Sequence, residues 1–358
     1  MATLDLLRLV AALAVVCFHY LFRGEIAADG HGQAFAAASS VAIYGYLGVN
    51  LFFIISGFVI AWSAEGRDFA RFALARFARL YPGFLTCMAI TFVVLLIAAN
   101  PAFGVSWAQF AANLIMFAPA LGQPFMDGVY WSIILEVIFY GWVATALFFG
   151  VFGRWKTGLL LSWLVVCALN EYGLDNGALR LVFVTEYGPL FVSGVLLHHM
   201  HAHGRSLEHL AMLAASFAMS TAAMTGVRDW MLLHYGEAVG LPGLVAANLA
   251  IYALAIGAVA TADRVAPGKT ILMLGGLTYP LYLLHQNIGY VAIAAIAPVA
   301  GAWSAFAVVL VAMLLASWAV WRFIETPARR AIIRAAGPYA DRAAQFRPAR
   351  PASAVPAE

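Results

Sequence analysis

Charge is what this chain has least of. Of 358 residues, 20 are Lys or Arg and 17 are Asp or Glu, so charged side chains make up 10% of a sequence that is 64% hydrophobic. A water-soluble domain carries roughly 25% charged residues, so this composition excludes one. Cysteine is almost missing. Cys17, Cys87 and Cys167 all fall in apolar runs, which excludes a disulfide framework and leaves them as packing residues. No glycine-rich phosphate loop, paired-histidine zinc-hydrolase motif or nucleophile elbow is present, so three common hydrolytic chemistries have no motif behind them. No fixed-period repeat recurs, and the gaps between apolar runs are too short for a separate folded domain. The first apolar run carries Asp5 and Arg8 early and lacks a basic leader and a clear cleavage site, so it is expected to stay in the mature protein.

What fills the sequence is apolar runs of membrane-spanning length. Ten of them, near 4–22, 42–63, 83–99, 129–150, 157–173, 179–199, 207–224, 242–262, 271–297 and 303–324, are long enough to cross a ~30 Å hydrocarbon core. The expected fold is an all-α polytopic integral membrane protein of about ten transmembrane helices in the cell inner (plasma) membrane. With the N-terminus inside, fifteen Lys and Arg residues fall on the cytoplasmic side, against Arg23, Arg180 and Arg228 outside. That bias puts the N- and C-termini in the cytoplasm. The net charge of +3 follows from it and requires no nucleic-acid partner. Residues 1–335 read as one membrane domain, and 336–358, rich in Ala, Pro and Arg, as a disordered cytoplasmic tail. The longest outer segments are 23–41 and 100–128; the second carries Trp107, Phe110 and Phe117 and reads as an interfacial helix or re-entrant piece.

Against this background the few titratable residues stand out. Arg8 and His19 are eleven residues apart on the first span. At ~100° per residue they return to within about 20° of each other, ~16 Å apart along one helix face. A guanidinium in hydrocarbon costs at least ~2.5–3.5 kcal/mol, so that face must look into a protein interior. The basic segment Phe69 to Leu80 has helical character and ends at Pro82. Arg76 projects within its apolar arc and Arg79 lies at the edge, which points to a phosphate-bearing substrate; Arg71 projects away, toward anionic lipid. On the fourth span Ser132, Glu136 and Tyr140 are spaced by four and form one polar stripe. On the ninth, Gly275, Thr278, Tyr282, His285 and Gly289 share a face, with Tyr279 and Pro280 beside it. Counted along their helices, His19, His285 and Glu136 reach one depth in the outer half of the bilayer. A lone membrane histidine more often bonds helix to helix; three titratable groups at one depth argue for a lined cavity. His198, His199, His201 and His203 lack metal-ligand geometry and read as a solvated interfacial cluster, and Glu186 with Ser193 marks a further polar face.

These residues sit in a familiar order. Leu4 to Arg8 through Cys17-Phe18-His19 resembles the opening of the membrane acyltransferase 3 family, marked by an arginine, ten residues, then a histidine. Gly48 to Phe58 is similar to its second-helix motif, Arg76 to Pro82 to its basic segment, and Trp131-Ser132 with Glu136 to its Trp-Ser-…-Glu motif. Tyr279 to His285 and Glu325-Thr326-Pro327 resemble its C-terminal signatures, so the match spans residues 4 to 327. Asn50 stands where the family commonly has aspartate, and Leu6 and Leu9 replace frequent glycines. The resemblance is to the stand-alone form, without a fused SGNH esterase-like domain.

The resemblance implies a membrane O-acyltransferase that moves an acyl group, usually acetyl, from acetyl-CoA or another acyl-CoA to a hydroxyl of a carbohydrate or glycosylated acceptor. In that reading Arg76 and Arg79 hold coenzyme A phosphates, Arg8 anchors the donor, and His19 is the general base. Glu136 orients an imidazole or binds the acceptor; Ser132, Tyr282 and His285 complete the cavity. No metal is expected. The partners are the lipid bilayer, an acyl-CoA and the acceptor. Surface polysaccharide, lipopolysaccharide, peptidoglycan and small glycosylated metabolites all stand open as acceptors. A covalent acyl-histidine is the mechanistic alternative. The rival function is a proton-coupled polytopic transporter of a small metabolite, which the buried charges also fit but which no internal symmetry supports. A structural or lipid-sensing role ranks third.

Overall fold

The computed structural model describes residues 1–23, 35–154, 156–237, 239–266 and 268–345, and every regular element among them is helical. Most of the segment 23–41, and the tail beyond 345, lie outside the described residues. Among the described residues nine helices are long and apolar enough to cross a membrane. In chain order they are α1 (Ala2–Arg23), α2 (Ala36–Ala64), α3 (Phe69–Ala98), α4 (Tyr130–Phe148), α5 (Lys156–Leu174), α7 (Leu207–Tyr235), α8 (Leu241–Ala260), α9 (Lys269–Ala300) and a last one that begins at Ala302. The last divides into α10 (Ala302–Val320), a π-helical turn (Trp321–Glu325) and α11 (Thr326–Gln345). A shorter helix, α6 (Gly188–His203), has 16 residues.

Three expectations are corrected by this arrangement. The apolar run at 179–199 is interrupted: a short helix, Gly177–Val182, ends before Val184, which takes φ +52°, and α6 starts at Gly188. A β-branched residue with positive φ is strained, and Val184 is buried where it breaks the run. The basic segment does not end at Pro82. The helix runs through the proline to Ala98, and Tyr279 of α9 donates to the Leu80 carbonyl at 3.1 Å across the same level. A proline is tolerated inside a membrane helix where neighbouring helices support the backbone. Finally, the tail expected to be unstructured from residue 336 is helical as far as Gln345, where Arg71 pairs with Asp341 at 2.5 Å and ties α11 to α3. The segment 100–128 returns along α3. Its helix Trp107–Asn113 packs Trp107 and Phe110 on Phe92, and the Tyr81 hydroxyl donates to the Leu114 carbonyl at 2.9 Å.

The centre is α2 against α6, with α1 and α9 beside them. Lipid offers no hydrophobic drive to bring helices together, so close packing at small residues does it. At Gly57 a Cβ would overlap the Phe191 carbonyl oxygen, and at Gly194 the Ile54 carbonyl oxygen. The two backbones approach as near as glycine alone permits. Helices α1 and α9 run parallel, with Asp5 against Gly275 at one end and the Tyr20 ring against Gly289 at the other. The Tyr20 hydroxyl donates to the His285 carbonyl at 2.7 Å and fixes their register. Gly57→Ala is expected to cost about 1–3 kcal/mol through forced separation of α2 and α6. It should lower the Tm, while Gly141→Ala, where a Cβ meets nothing within 4 Å, should not.

Candidate active site

Two cavities enter the bundle and share a wall. One, of about 520 Å³, takes Arg8, Arg67, Arg76, Arg79 and Arg329 into its lining, with Glu65, Glu136 and Ser132. The other, of about 800 Å³, is lined by His19, Arg23, Asn50 and Gln286 among aromatic and aliphatic side chains. Val49 and Tyr282 line both. Helix α1 contributes to each: Arg8 faces the first cavity, while Val15, Phe18 and His19 face the second.

In the arginine cavity the carboxylates are already engaged. Arg79 donates to Glu325 at 2.8 Å and lies over the Tyr279 ring at 5.6 Å, so its charge is matched inside the protein. Glu325 is buried on the π-helical turn before α11, and its carboxyl sits where a Cβ on Gly83 would be. Glu65 takes Lys156 at 2.9 Å and His203 at 3.2 Å. Burial pushes the Glu65 carboxyl up, but the hydrogen bonds from Lys156 and His203 outweigh that and hold it below the ordinary glutamate range. Glu136 accepts from Ser56 at 2.6 Å and from Tyr140 at 2.5 Å. Arg76 has none of this. Its guanidinium lies over Phe72 and Tyr140, at 5.8 and 6.0 Å, and its buried Nε has no hydrogen-bond partner among the described residues. Arg8, Arg67 and Arg329 likewise form no ion pair among the described residues. The cavity therefore carries an excess of positive charge with unused donors, the setting that selects phosphate or carboxylate.

The second cavity is built around His19, which lies on the π-helical turn Phe18–Arg23 that ends α1. Such turns recur at functional positions because they re-aim side chains. The His19 Nδ1 is 2.8 Å from the Tyr290 hydroxyl, and among the described residues no group bonds Nε2. His285 stands behind it, ring centroids 5.0 Å apart. The His285 Nδ1 faces the carbonyls of Tyr282 at 2.9 Å and Leu281 at 3.1 Å, so it carries the proton, and Nε2 is buried without a partner. Below them Asp127, fully buried, reaches from the 100–128 segment into α9. It accepts from the Asn287 backbone N–H at 2.9 Å and the Val129 N–H at 3.1 Å. Burial pushes the Asp127 carboxyl up to about 6, although those two N–H donors act to lower it. By this contact Asp127 clamps the stretch His285-Gln286-Asn287.

The residues singled out by sequence are thus divided. Arg8, Arg76, Arg79, Glu136 and Ser132 gather at the arginine cavity, His19 at the other, and Tyr282 between them, its hydroxyl 2.6 Å from Ser132 Oγ. His19 and His285 meet, as their depths imply. Glu136 does not join them: its hydrogen bonds go to Ser56 and Tyr140, and it reaches no imidazole among the described residues. His285 lines neither cavity and supports His19 from behind. Sequence reasoning missed Tyr290, Asp127, Gln286 and Arg329. Tyr290 lies five residues past His285, off the polar face, and only the fold brings it to His19, 271 positions away. Asp127, the single charged residue of the segment 100–128, did carry a legible signal.

A family model described as an acyltransferase domain matches residues 1–322. The chain is 28% identical over 307 residues to "Acyltransferase MdmB" of Streptomyces mycarofaciens, covering 78% of this chain and 76% of that one. No solved structure matches.

The arginine pairing yields a double-mutant test. Glu325→Gln and Arg79→Gln should each cost about 2 kcal/mol, below the 3–5 kcal/mol of a fully buried pair because Arg79 is 24% exposed. The double variant should cost less than the two together, read as Tm. Arg76→Gln breaks no ion pair and should leave the Tm within the error of the wild type.

Proposed function

We propose, from the premise that this chain belongs to the acyltransferase domain family, that it moves an acyl group, acetyl in the simplest case, from acyl-CoA to a hydroxyl of a carbohydrate or glycosylated acceptor. Membership makes the chain an acyltransferase with a multi-pass membrane fold. The finer reading rests on one observation: arginines without carboxylate partners line one cavity, His19 lines another, and the two share the Val49–Tyr282 wall. An acyl-CoA presents several phosphate charges at one end and a thioester at the other, which is the polarity of this path.

In the proposed reaction the coenzyme A phosphates bind Arg76 with Arg8, Arg67 and Arg329, while Arg79 serves mainly to hold Glu325. The arginine end faces the cytoplasm of the inner membrane, as the basic-residue bias argues. The acceptor occupies the His19 cavity. With Nδ1–H donated to the Tyr290 oxygen, Nε2 of His19 carries the lone pair toward that cavity. It removes the acceptor hydroxyl proton as the oxygen attacks the thioester carbonyl carbon. The carbon–oxygen bond forms, the electron pair returns from the carbonyl oxygen, the carbon–sulfur bond breaks, and the imidazolium gives its proton to the departing thiolate. Tyr290 holds the tautomer and His285 the ring; neither touches the reacting atoms. Glu136 holds Tyr140 and Ser56 beside Arg76 and acts on the donor cavity.

Two variants test the division of labour. His19→Ala should lower acyl transfer by about 10²–10⁴-fold, measured as thiol release from acetyl-CoA in proteoliposomes, with coenzyme A affinity kept. Arg76→Gln should do the reverse and weaken coenzyme A binding by about tenfold or more, the loss of a charge-assisted hydrogen bond. Full activity in a folded His19→Ala protein would remove the general-base role.

A further inference from the structure

Trp62, on the last turn of α2, is 52% exposed and has no ring contact and no hydrogen bond among the described residues. Other exposed tryptophans stand against aromatic rings: Trp107 against Phe92 at 4.8 Å, Trp230 against His234 at 4.2 Å, Trp303 against Phe35 at 4.9 Å. A tryptophan at the end of a membrane helix often serves only as an anchor in the lipid interface. Trp62 has a second surrounding: it lines the arginine cavity, beside Ser63, Glu65 and Arg67. That cavity is graded from open to closed. Trp62, Arg67 and Arg329 are exposed, Arg8 and Arg76 half-buried, and Ser132, Thr278 and Tyr282 buried. The unpartnered indole therefore stands at the mouth, on the side away from the buried end that Tyr282 shares with the His19 cavity.

We infer that Trp62 is the platform on which the adenine ring of the acyl-CoA donor stacks. The inference rests on the donor reading above. In coenzyme A the adenine is joined through one ribose to the phosphates, and the pantetheine arm leaves from the far side of the diphosphate. A donor with its phosphates among the arginines and its thioester directed inward must leave its adenine at the mouth, where Trp62 is. The guanidiniums answer the phosphate charge. The base is neutral and flat, and what it can gain is contact between its faces and a flat apolar surface. An indole is the largest such surface that a side chain offers, and its ring here is not taken up by a neighbour. Stacking of a base on an aromatic side chain is strong enough to contribute measurably to affinity even at a site that is open on one side.

The test is a binding panel on the whole protein in lipid nanodiscs, with coenzyme A titrated calorimetrically and phosphopantetheine, which lacks the adenosine half, measured by displacement of radiolabelled coenzyme A. Trp62→Leu should weaken coenzyme A by about 5- to 100-fold and leave phosphopantetheine within about twofold of the wild type. Trp62→Phe, which keeps a ring to stack on, should recover most of the coenzyme A affinity. Two results would overturn the inference and leave the donor reading standing: coenzyme A affinity unchanged in Trp62→Leu, or a fall of the same factor for both ligands, as a lipid anchor whose loss loosens the bundle would give. Failure of the wild type to bind coenzyme A at all would instead remove the donor reading, and the inference with it.

Discussion

A guanidinium held inside an apolar bundle must find an anion or keep contact with water, and the organisation of this protein follows from how that demand is met. Some of its cations satisfy it internally. Arg79 has Glu325, Lys156 has Glu65, and Arg71 has Asp341. Each of these pairs joins helices far apart in sequence, so they function as fasteners between α3 and α11, and between α2 and α5. Among the described residues Arg76 and Arg8 have no such partner, and they open onto a cavity instead. The contrast separates cations paired within the protein from unpaired ones, which are those proposed to hold the donor, and it does so within a motif where Arg76 and Arg79 look interchangeable.

The same economy of polar groups governs the other cavity. His19 is positioned by Tyr290 in front and by the His285 ring behind, and His285 is itself fixed by two backbone carbonyls and by Tyr20. Asp127 adds a second anchor from the 100–128 segment to the backbone just past His285. A side chain whose ring is locked from several directions loses little freedom when a ligand arrives, and this supports the base role proposed for His19. Transport was a fair competing account of buried charges and histidines. The family to which the chain belongs decides for transfer.

Much of this was legible in the sequence because it lies within single helices. Arg8 and His19 share a face of α1 by the helical repeat alone, and nine of the ten spans expected from hydropathy correspond to long helices. The limits are equally physical. Glu325 and Arg79 are 246 positions apart, and no periodicity relates them. Glu136 reaches a depth similar to that of His19 when counted along its own helix, but depth is silent on which side of the Val49–Tyr282 wall a residue stands. Pro82 and Val184 misled in opposite directions. Neighbouring helices carry α3 through a proline, and an apolar run breaks at Val184, four residues ahead of Gly188-Pro189, because the chain accepts a strained backbone there. Tyr290 sits off the polar stripe of α9 and becomes part of the site only through the way α1 ends.

The central claim is that one path through the bundle holds the phosphates of an acyl-CoA at the arginine end and its thioester within reach of His19. A cryo-electron microscopy map of the protein in nanodiscs with acetyl-CoA tests this most directly. The account predicts phosphate density against Arg76 and Arg8, with the pantetheine arm ending beside Tyr282. Density for the nucleotide in the His19 cavity, or an arginine cavity left empty at saturating acetyl-CoA, would contradict it.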